Sequence, residues 1–292
     1  MENGPRPEMG TLFVVATPLG NLEDLTLRAI RVLRTVSLVA CEDTRRTRRL
    51  LSSQGITTPT TSYFEHNERW KGVRILDALR AGRDVALVSD AGTPGISDPG
   101  YRLVRDARAE GLPVVPVPGP SAAVAALSVS GLPTDRFLFV GFLPPRPKAR
   151  RRELESLRDR SETLVFYESP VRVVGCLTDL ASVLGDREAF LCREATKLHE
   201  EYVRGRLDEL RALLAERAEV KGEIVLVVSG AAEGTEPEES TVPPEELEGL
   251  FARLVAQGLT RREAVKEAAR RAGLPAREVY GMMEKLKSQR ED

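Results

Sequence analysis

The sequence has few cysteines and no long hydrophobic run. Its three cysteines, Cys41, Cys176 and Cys192, are widely spaced, odd in number and without the pairing of a metal site. We therefore expect buried, reduced thiols. No apolar run approaches the roughly 18 residues of a membrane-spanning helix, and the opening MENGPRPEMG lacks a hydrophobic signal segment. These absences predict a cytoplasmic protein that does not enter a membrane.

Histidines and familiar nucleotide-binding motifs are also scarce. His66 and His199 are the only histidines, and both lie among charged neighbours, which favours a surface role over catalysis. No G-x-G-x-x-G follows the first predicted strand, Thr11–Thr17, and no phosphate-binding G-x-x-x-x-G-K-[ST] occurs. The 43 basic and 44 acidic residues nearly cancel, so the charge of the whole chain identifies no partner.

The most informative stretch that is present is LVSDAGTPGISDPG, Leu87–Gly100. Here a predicted strand runs into a loop in which Asp90, Ser97 and Asp98 alternate with glycines and prolines. Glycine lets the backbone approach a ligand closely, and proline holds the shape of the loop. An ordinary strand-to-helix connection takes roughly 2–6 residues, and Asp90–Asp98 is longer. The pattern favours a ligand-binding loop at the carboxyl end of a sheet over a plain tight connection.

Strand and helix patterns alternate from residue 11 to about residue 230. Such a series predicts α/β architecture with a mostly parallel first sheet, and the second half shows more hairpin-like pairing. Pro118-Gly119-Pro120 forms a stiff break. We therefore predict a flexible segment at 1–10 and two α/β domains, at 11–118 and 119–232.

The last sixty residues have a different composition. Residues 233–248 contain seven glutamates, three prolines and neither Lys nor Arg, which predicts an acidic linker over 233–244. Three helices are predicted in a small helical domain, 245–292: Glu245–Gln257, Arg261–Ala272 and Ala276–Lys287. The turn at Gly273-Leu274-Pro275 gives them a helix-turn-helix-like pattern. From Gly258 to Arg290 there are nine basic residues and four glutamates, a net charge of +5, and composition alone slightly favours a solvated helical cap.

Eight motifs, taken in order, resemble one family. They are ATPLGNLEDLTLRA (Ala16–Ala29), CEDTRRTRRLL (Cys41–Leu51), SYFEHNE (Ser62–Glu68), LVSDAGTPGISDPGYRLVR (Leu87–Arg105), PVPGPSAAVAALSVSGLPTDRFLFVGFLP (Pro116–Pro144), LVFYESP (Leu164–Pro170), CREATKLHEEYVRG (Cys192–Gly205) and KGEIVLVV (Lys221–Val228). The chain resembles the 16S ribosomal RNA ribose 2′-O-methyltransferases, which modify a cytidine in the decoding region. These enzymes belong to the tetrapyrrole methylase superfamily, the class III S-adenosylmethionine-dependent methyltransferases. The resemblance covers about residues 10–230.

The resemblance implies a fold, a cofactor and an assembly. It implies two αβα domains with S-adenosyl-L-methionine in the cleft between them, usually in a homodimer, and none of the G-x-G loop of the commoner Rossmann methyltransferases. One departure stands out. The family usually has a histidine where this chain has Val171, after Glu168-Ser169-Pro170. A mechanism that depends on that histidine is therefore not expected here.

The candidate cofactor-binding residues come from four places. These are the end of the first predicted strand, the loop Asp90–Asp98 (the glycine loop), the segment after the Pro-Gly-Pro break, and the end of a strand in the second domain. They are Pro18, Asp90, Gly92, Thr93, Pro94, Gly95, Ile96, Ser97, Asp98, Ser121, Ala122 and Tyr167. Leu19 is expected to line the same cofactor-binding cleft. The amides of the helix that opens at Ser121 and Ala122 favour a carboxylate. This helix start holds the methionine carboxylate of the cofactor or is an N-cap without a ligand, and the sequence leaves both open.

Methyl transfer to a ribose 2′-hydroxyl benefits from a positioned base, because the hydroxyl is a poor nucleophile. The catalytic candidates are Glu42 and Asp43, after the second strand, and Glu194 with Lys197 in CREATK. A lysine beside a carboxylate loses its proton readily only if it is desolvated. Structural ion pairs account for both sets at least as well.

An RNA substrate predicts basic surface beside the cleft, because phosphates attract Lys and Arg. Two clusters begin at loops next to predicted cleft strands: Arg45, Arg46, Arg48 and Arg49, and Arg146, Lys148, Arg150, Arg151 and Arg152. Phe64, Trp70 and Tyr63 are the best candidates for base stacking. Two alternatives remain, a small-molecule tetrapyrrole-type methyltransferase and a non-catalytic ribosome-associated RNA-binding protein. The arginine clusters disfavour the first alternative, and the intact cofactor loop disfavours the second.

Overall fold

The computed structural model describes residues 9–231, 244–256, 259–272 and 279–283. The chain divides into two compact units, with the boundary after Gly230. The first unit contains two five-stranded sheets, and the described part of the second is helical. The turn predicted at 273–275 and the predicted linker up to residue 243 lie outside the described residues, as do residues 1–8. Gly10, the last residue of the segment predicted to be flexible, donates its N–H to the Leu79 carbonyl at 2.8 Å.

The first sheet is parallel and has the order β3-β2-β4-β1-β5. Its strands are β1 (Leu12–Val15), β2 (Leu38–Cys41), β3 (Thr60–Ser62), β4 (Val85–Val88) and β5 (Val114–Val117). Its helices are α1 (Leu27–Thr35), α2 (Thr44–Ser53), α3 (Glu68–Arg80) and α4 (Tyr101–Ala109). Two separate hydrophobic clusters include strand residues of this sheet, as expected for short apolar parallel strands that are buried on both faces. The glycine loop leaves β4 at the carboxyl edge of this sheet.

The second sheet is mixed, with the order β6-β7-β10-β8-β9. Its strands are β6 (Phe137–Phe142), β7 (Thr163–Glu168), β8 (Glu188–Arg193), β9 (Glu201–Arg206) and β10 (Ile224–Val228). Its helices are α5 (Ala122–Val129), α6 (Pro147–Leu157), α7 (Val173–Leu184) and α8 (Leu207–Ala215). Only β6 and β7 pair in parallel; the other pairs are antiparallel, which confirms the predicted hairpin-like character. Helices α6, α7 and α8 share one core, and α5 packs in another.

The apolar spacing over Asp24–Arg34 predicts a single helix, but the structure divides this segment into two helical pieces. A 3-10 turn, Leu22–Asp24, comes first, and its Asn21 side chain accepts the Glu23 N–H. Helix α1 begins only at Leu27, because Thr26 caps it by accepting the Ala29 N–H at 3.1 Å. Local capping therefore separates two helical pieces that the apolar spacing had joined.

The helical unit contains α9 (Pro244–Ala256), α10 (Arg261–Ala272) and helical residues 279–283. Its apolar core consists of Leu247, Leu250, Leu254, Ala264, Val265, Ala268, Ala269 and Val279. Thr260 and Glu263 form reciprocal hydrogen bonds at the start of α10, as in a capping box. Across the described residues, no helix is both long enough and apolar enough to cross a bilayer.

Candidate active site

A cleft of about 310 Å³ lies between the glycine loop and residues of the second sheet. Nine of the twelve predicted cofactor-binding residues line it: Asp90, Gly92, Thr93, Ile96, Ser97, Asp98, Ser121, Ala122 and Tyr167. Residues that were not predicted as ligands also line it, among them Arg46, Phe142, Glu168, Cys192 and Glu223. Apart from Tyr167, the lining residues of the second sheet were missed, because the sequence does not show which strand ends face the glycine loop.

Pro18, Pro94 and Gly95 were predicted as cofactor contacts, but they are not among the lining residues. Leu19 lines the cleft instead of Pro18, because Thr17 is tied to Gly92 by two backbone hydrogen bonds of 2.9 and 3.0 Å. Gly95 has φ +82°, a conformation that favours glycine. Gly95 therefore determines the path of the loop backbone.

A bulge in the second sheet makes room for the glycine loop. The pairing of β6 with β7 shifts register between Phe139 and Gly141. Gly141 has φ +74°, and a Cβ atom there would lie 2.9 Å from Ser97 Oγ. Ser97 itself has φ 59°. Both the positive φ and the contact with the Ser97 side chain favour glycine at position 141.

Tyr167 connects the second sheet to the start of α5. Its hydroxyl accepts the Ala123 N–H at 3.2 Å, and its ring makes edge contacts with Phe139 and Phe142 at centroid distances of 5.0 and 5.6 Å. Burial raises the pKa of this phenol. One of the amides at the start of α5 is therefore already paired within the protein.

Carboxylates give the cleft a negative character. Burial, reinforced by Glu42, raises the pKa of Asp98 to about 6. Burial and Asp90 raise the pKa of Glu42 as well. Asp90 accepts the Asp43 N–H at 3.0 Å and pairs with Arg46 at 3.3 Å. Glu223 belongs to the same group, since it lines the cleft and adds to the pKa shift of Asp98.

The first pair of predicted catalytic residues, Glu42 and Asp43, lies between β2 and α2. Asp43 is the N-cap of α2: its carboxylate accepts the Arg45 N–H at 2.8 Å and pairs with the Arg45 guanidinium at 3.0 Å. These hydrogen bonds hold the pKa of Asp43 at about 2. Glu42 does not line the cleft, but it acts on Asp98 through charge. Neither Glu42 nor Asp43 is among the residues that line the cleft.

The second predicted pair forms an ion pair. Lys197 Nζ lies 2.7 Å from Glu194 Oε1 and 3.2 Å from Glu223 Oε2. Burial opposes both charges, but the hydrogen bonds outweigh it, so the pKa of Lys197 is raised and that of Glu194 is lowered. The lysine stem packs against Gly20, where a Cβ would lie 2.3 Å from Lys197 Cγ. Lys197 is thus a protonated cation beside the cleft, in the arrangement expected of a structural ion pair.

One predicted RNA contact is wrong. Arg150 is buried, and its guanidinium lies 2.5 Å from Asp179, whose other oxygen accepts from Arg151. Burying the Arg150 charge requires this partner, so Arg150 joins α6 to α7 instead of meeting RNA. The other members of the two clusters are exposed: Arg45, Arg46, Arg48, Arg49, Arg146, Lys148, Arg151 and Arg152.

The stacking candidates separate by burial. Tyr63 is 1% exposed and cannot stack on a base. Trp70 is 52% exposed, with Lys71 and Arg74 within 5.3 Å of its ring centroid.

Val171, in place of the expected histidine, is 92% exposed next to the cleft residue Pro170. The three cysteines are buried and free, as predicted, and burial raises the pKa of the Cys192 thiol to about 11.

The chain is similar to a family and to curated proteins. A family model described as Tetrapyrrole (Corrin/Porphyrin) Methylases matches residues 11–211. A protein named ribosomal RNA small subunit methyltransferase I, from Halalkalibacterium halodurans, is 48% identical over 281 residues, which cover 95% of this chain and 96% of that relative. The protein of the same name from Bacillus subtilis is 44% identical, covering 94% of each chain. That from Thermotoga maritima is 49% identical over 222 residues, which cover 76% of this chain and 99% of the relative.

Solved structures agree with the fold. A uroporphyrin-III C-methyltransferase from Thermus thermophilus, complexed with S-adenyl homocysteine, is 25% identical with a TM-score of 0.54, covering 75% of this chain and 97% of that one. A cobalt precorrin-4 methyltransferase, 17% identical, covers 77% of this chain and 98% of its own with a TM-score of 0.59 and supports the fold alone. The chain therefore belongs to the tetrapyrrole (corrin/porphyrin) methylase family.

Proposed function

We propose that this protein transfers the methyl group of S-adenosyl-L-methionine to the ribose 2′-hydroxyl of a cytidine in the decoding region of 16S rRNA. Relatives named as ribosomal RNA small subunit methyltransferases at 44–49% identity support the rRNA substrate. The observation that carries the chemistry is the cleft, which Asp98 of the glycine loop lines together with Tyr167 of the second sheet.

The residues of the cleft fit the proposed cofactor. Leu19, Ile96 and Val225 offer apolar surface for an adenine ring. S-adenosylmethionine bears a sulfonium, an ammonium and a carboxylate, so its net charge is +1, and the carboxylates of Asp90 and Asp98 suit that charge. S-adenosylhomocysteine has lost the sulfonium charge. We infer that the carboxylates favour the methyl donor over the spent product, which helps to empty the cleft after transfer.

Asp98 is the residue that we place at the reacting hydroxyl. The new bond joins the 2′-oxygen to the methyl carbon, the old sulfur–carbon bond breaks with its electrons going to sulfur, and the hydroxyl proton is released. Asp98 accepts that proton. Its raised pKa, about 6, makes it a better acceptor than an ordinary aspartate while leaving it ionised at neutral pH. Glu42 assists as a positioning residue, because its charge helps to raise that pKa.

The surroundings of the cleft complete the proposal. The exposed arginines of α2 and the basic residues at the start of α6 would neutralise RNA phosphates. Lys197 would fix the wall of the cleft through its ion pairs with Glu194 and Glu223. We further propose that the protein acts as a homodimer in the cytoplasm, where the ribosomal subunits are.

The test is a labelling experiment. The purified protein is incubated with tritiated S-adenosylmethionine and small ribosomal subunits from a strain without the enzyme, and the label is mapped by nuclease digestion and mass spectrometry. Label on one cytidine ribose of 16S rRNA is the expected result. Label on a base would contradict the ribose assignment. Absence of label, with cofactor binding intact by calorimetry, would favour a small-molecule acceptor of the tetrapyrrole type.

A further inference from the structure

Two aromatic side chains, Phe142 and Tyr167, line the cofactor cleft. They differ in exposure. Tyr167 is partly buried, and its hydroxyl is paired with the Ala123 N–H. Phe142 is 54% exposed, whereas Val225, which also lines the cleft, is buried. A lining residue of which more than half is exposed lies at the mouth of the cleft, so the Phe142 ring is open to a ligand that enters from solvent.

Phe142 is close to the part of the glycine loop that carries Asp98. A Cβ atom at Gly141, the preceding residue, would lie 2.9 Å from Ser97 Oγ, and Ser97 directly precedes Asp98. Burial raises the pKa of Tyr167 and the charge of Asp98 adds to the rise, so these two side chains are near each other. The rings of Phe142 and Tyr167 are 5.6 Å apart between centroids. A ribose whose hydroxyl meets Asp98 therefore brings its own base close to Phe142, because one glycosidic bond joins base and ribose.

The segment that carries Phe142 is fixed on its other side as well. Leu143 is buried, and its carbonyl accepts a hydrogen bond from Arg172 Nη2 at 2.7 Å. The same nitrogen lies 3.0 Å from Oε2 of the buried Glu168. The backbone on both sides of the ring is thus held before a substrate arrives. A ring held in this way loses little conformational entropy when a ligand stacks on it.

Basic side chains follow Phe142 at short range. Leu143-Pro144-Pro145 leads to Arg146 at the start of α6, and four residues span at most about 14 Å. Arg146 and Lys148 are exposed. An open aromatic ring beside exposed basic groups is the combination that binds single-stranded nucleic acid, with a base on the ring and phosphates on the cations.

A nucleotide that places its ribose in a cleft has to leave the RNA stack, and it loses the stacking with its neighbours. We propose that Phe142 replaces that stacking: the base of the target nucleotide lies against the Phe142 ring at the mouth of the cleft, while its ribose reaches Asp98. Every base has a π-face, so this contact holds the nucleotide without selecting which base it is. The inference rests on the proposed function.

The experiment measures kcat/KM on small subunits from the strain without the enzyme. Phe142→Ala should lower kcat/KM by about tenfold or more, because the base loses its stacking partner. Phe142→Leu should lose most of the same factor, since it keeps apolar bulk without a π-face, and Phe142→Tyr should keep the rate. Phe137→Ala is the matched control: Phe137 is at the other end of β6, is 44% exposed and is not among the lining residues. All four variants should bind S-adenosylmethionine with the affinity of the unmodified protein in calorimetry.

A second acceptor tests the contact itself. Small subunits are reconstituted with 16S rRNA that has a ribose without a base at the position mapped by labelling. The unmodified protein should lose about tenfold in kcat/KM on this acceptor, and Phe142→Ala should lose nothing further, because both changes remove one contact. Losses that multiply would contradict the inference.

Two other results would also contradict it. One is a Phe142→Leu variant as fast as the unmodified protein. The other is a Phe142→Ala variant whose affinity for S-adenosylmethionine falls by the same factor as its kcat/KM, since the ring would then contact the cofactor. If Phe142→Ala does not fold, Phe142→Leu and Phe142→Tyr decide. Failure of the unmodified protein to label any ribose overturns the proposed function, whereas ribose labelling at equal rates by all variants overturns the stacking role alone.

Discussion

Burial of the ionised Asp98 carboxylate lowers the stability of the fold, and the same carboxylate is the proton acceptor that we propose for methyl transfer. Burial and Glu42 disfavour its charged form, and this is why its pKa lies near 6 instead of near 3.8. A carboxyl whose pKa is higher in the folded state than in the unfolded state is stabilising when protonated, and this contribution is lost as the pH rises from about 4 to about 6. The ionised carboxylate that we propose as the proton acceptor is therefore held at some expense to stability.

Asp98→Asn should reduce kcat by about 10²-fold or more, because proton acceptance is lost. The pH profile of the unmodified protein should rise through the pKa of Asp98, about 6, and level off above it. At pH 7.5 the variant should melt at a higher temperature, since it no longer buries a charge. Asp135→Asn, at an exposed position, serves as the control. A variant with unchanged kcat and an unchanged profile would remove Asp98 from the mechanism.

Among the elements, the contact between the β6 bulge and the glycine loop depends on Gly141. Gly141→Ala should weaken S-adenosylmethionine binding by about tenfold, because the new Cβ would push Ser97 out of the cleft wall. Gly111→Ala is a matched control: its φ is +71°, but its Cβ would meet nothing within 4 Å. Both variants should lose stability from the positive φ. Equal cofactor affinity for the two, measured by calorimetry, would contradict the role of Gly141 in placing the loop.

The buried ion pair between α6 and α7 gives a second prediction at this scale. Asp179→Ala should lower the free energy of unfolding by about 3–5 kcal/mol, because it leaves the Arg150 charge buried without a partner. Urea denaturation measures the change, with Asp159→Ala at an exposed position as the control. Arg152→Ala should instead weaken RNA binding and leave stability near that of the unmodified protein. A small effect of Asp179→Ala would mean that Arg150 finds water on losing its partner.

For the whole molecule, the two units should be separable. The match to the Thermotoga maritima relative covers 99% of that protein with 222 residues, 76% of this chain, so a protein of this family exists at about the length of the α/β unit. Truncation after Gly230 should preserve cofactor binding and lower the affinity for the small subunit. The salt dependence of subunit binding should also become shallower, since the end of the removed segment is basic. Loss of cofactor binding, with folding confirmed by circular dichroism, would contradict this separation.

The sequence predicts the order of strands and helices well, because short apolar runs and caps such as Asp43 are local signals. The glycine loop is recognisable for the same reason, and most of its predicted residues line the cleft. The burial of Arg150 could not be predicted, since it depends on Asp179, 29 positions along the chain. The same holds for the cleft residues Phe142, Glu168 and Glu223, which are far along the chain from the glycine loop. Long-range packing, which no local pattern encodes, accounts for what was missed.

The pairing of Arg46 with Asp90 links the arginine surface of α2 to the interior of the cleft. Arg46 stands on α2 among the exposed arginines, while Asp90 lines the cleft. A phosphate that engages Arg46 competes with Asp90 for the same cation and leaves the cleft more negative. The cleft would then attract a positively charged methyl donor more strongly, and by thermodynamic reciprocity the donor would tighten the grip on RNA by the same factor. Substrate and donor would bind cooperatively. A ribosomal subunit would therefore bind more tightly to the protein that holds S-adenosylmethionine, and it would dissociate more readily from the protein without the donor.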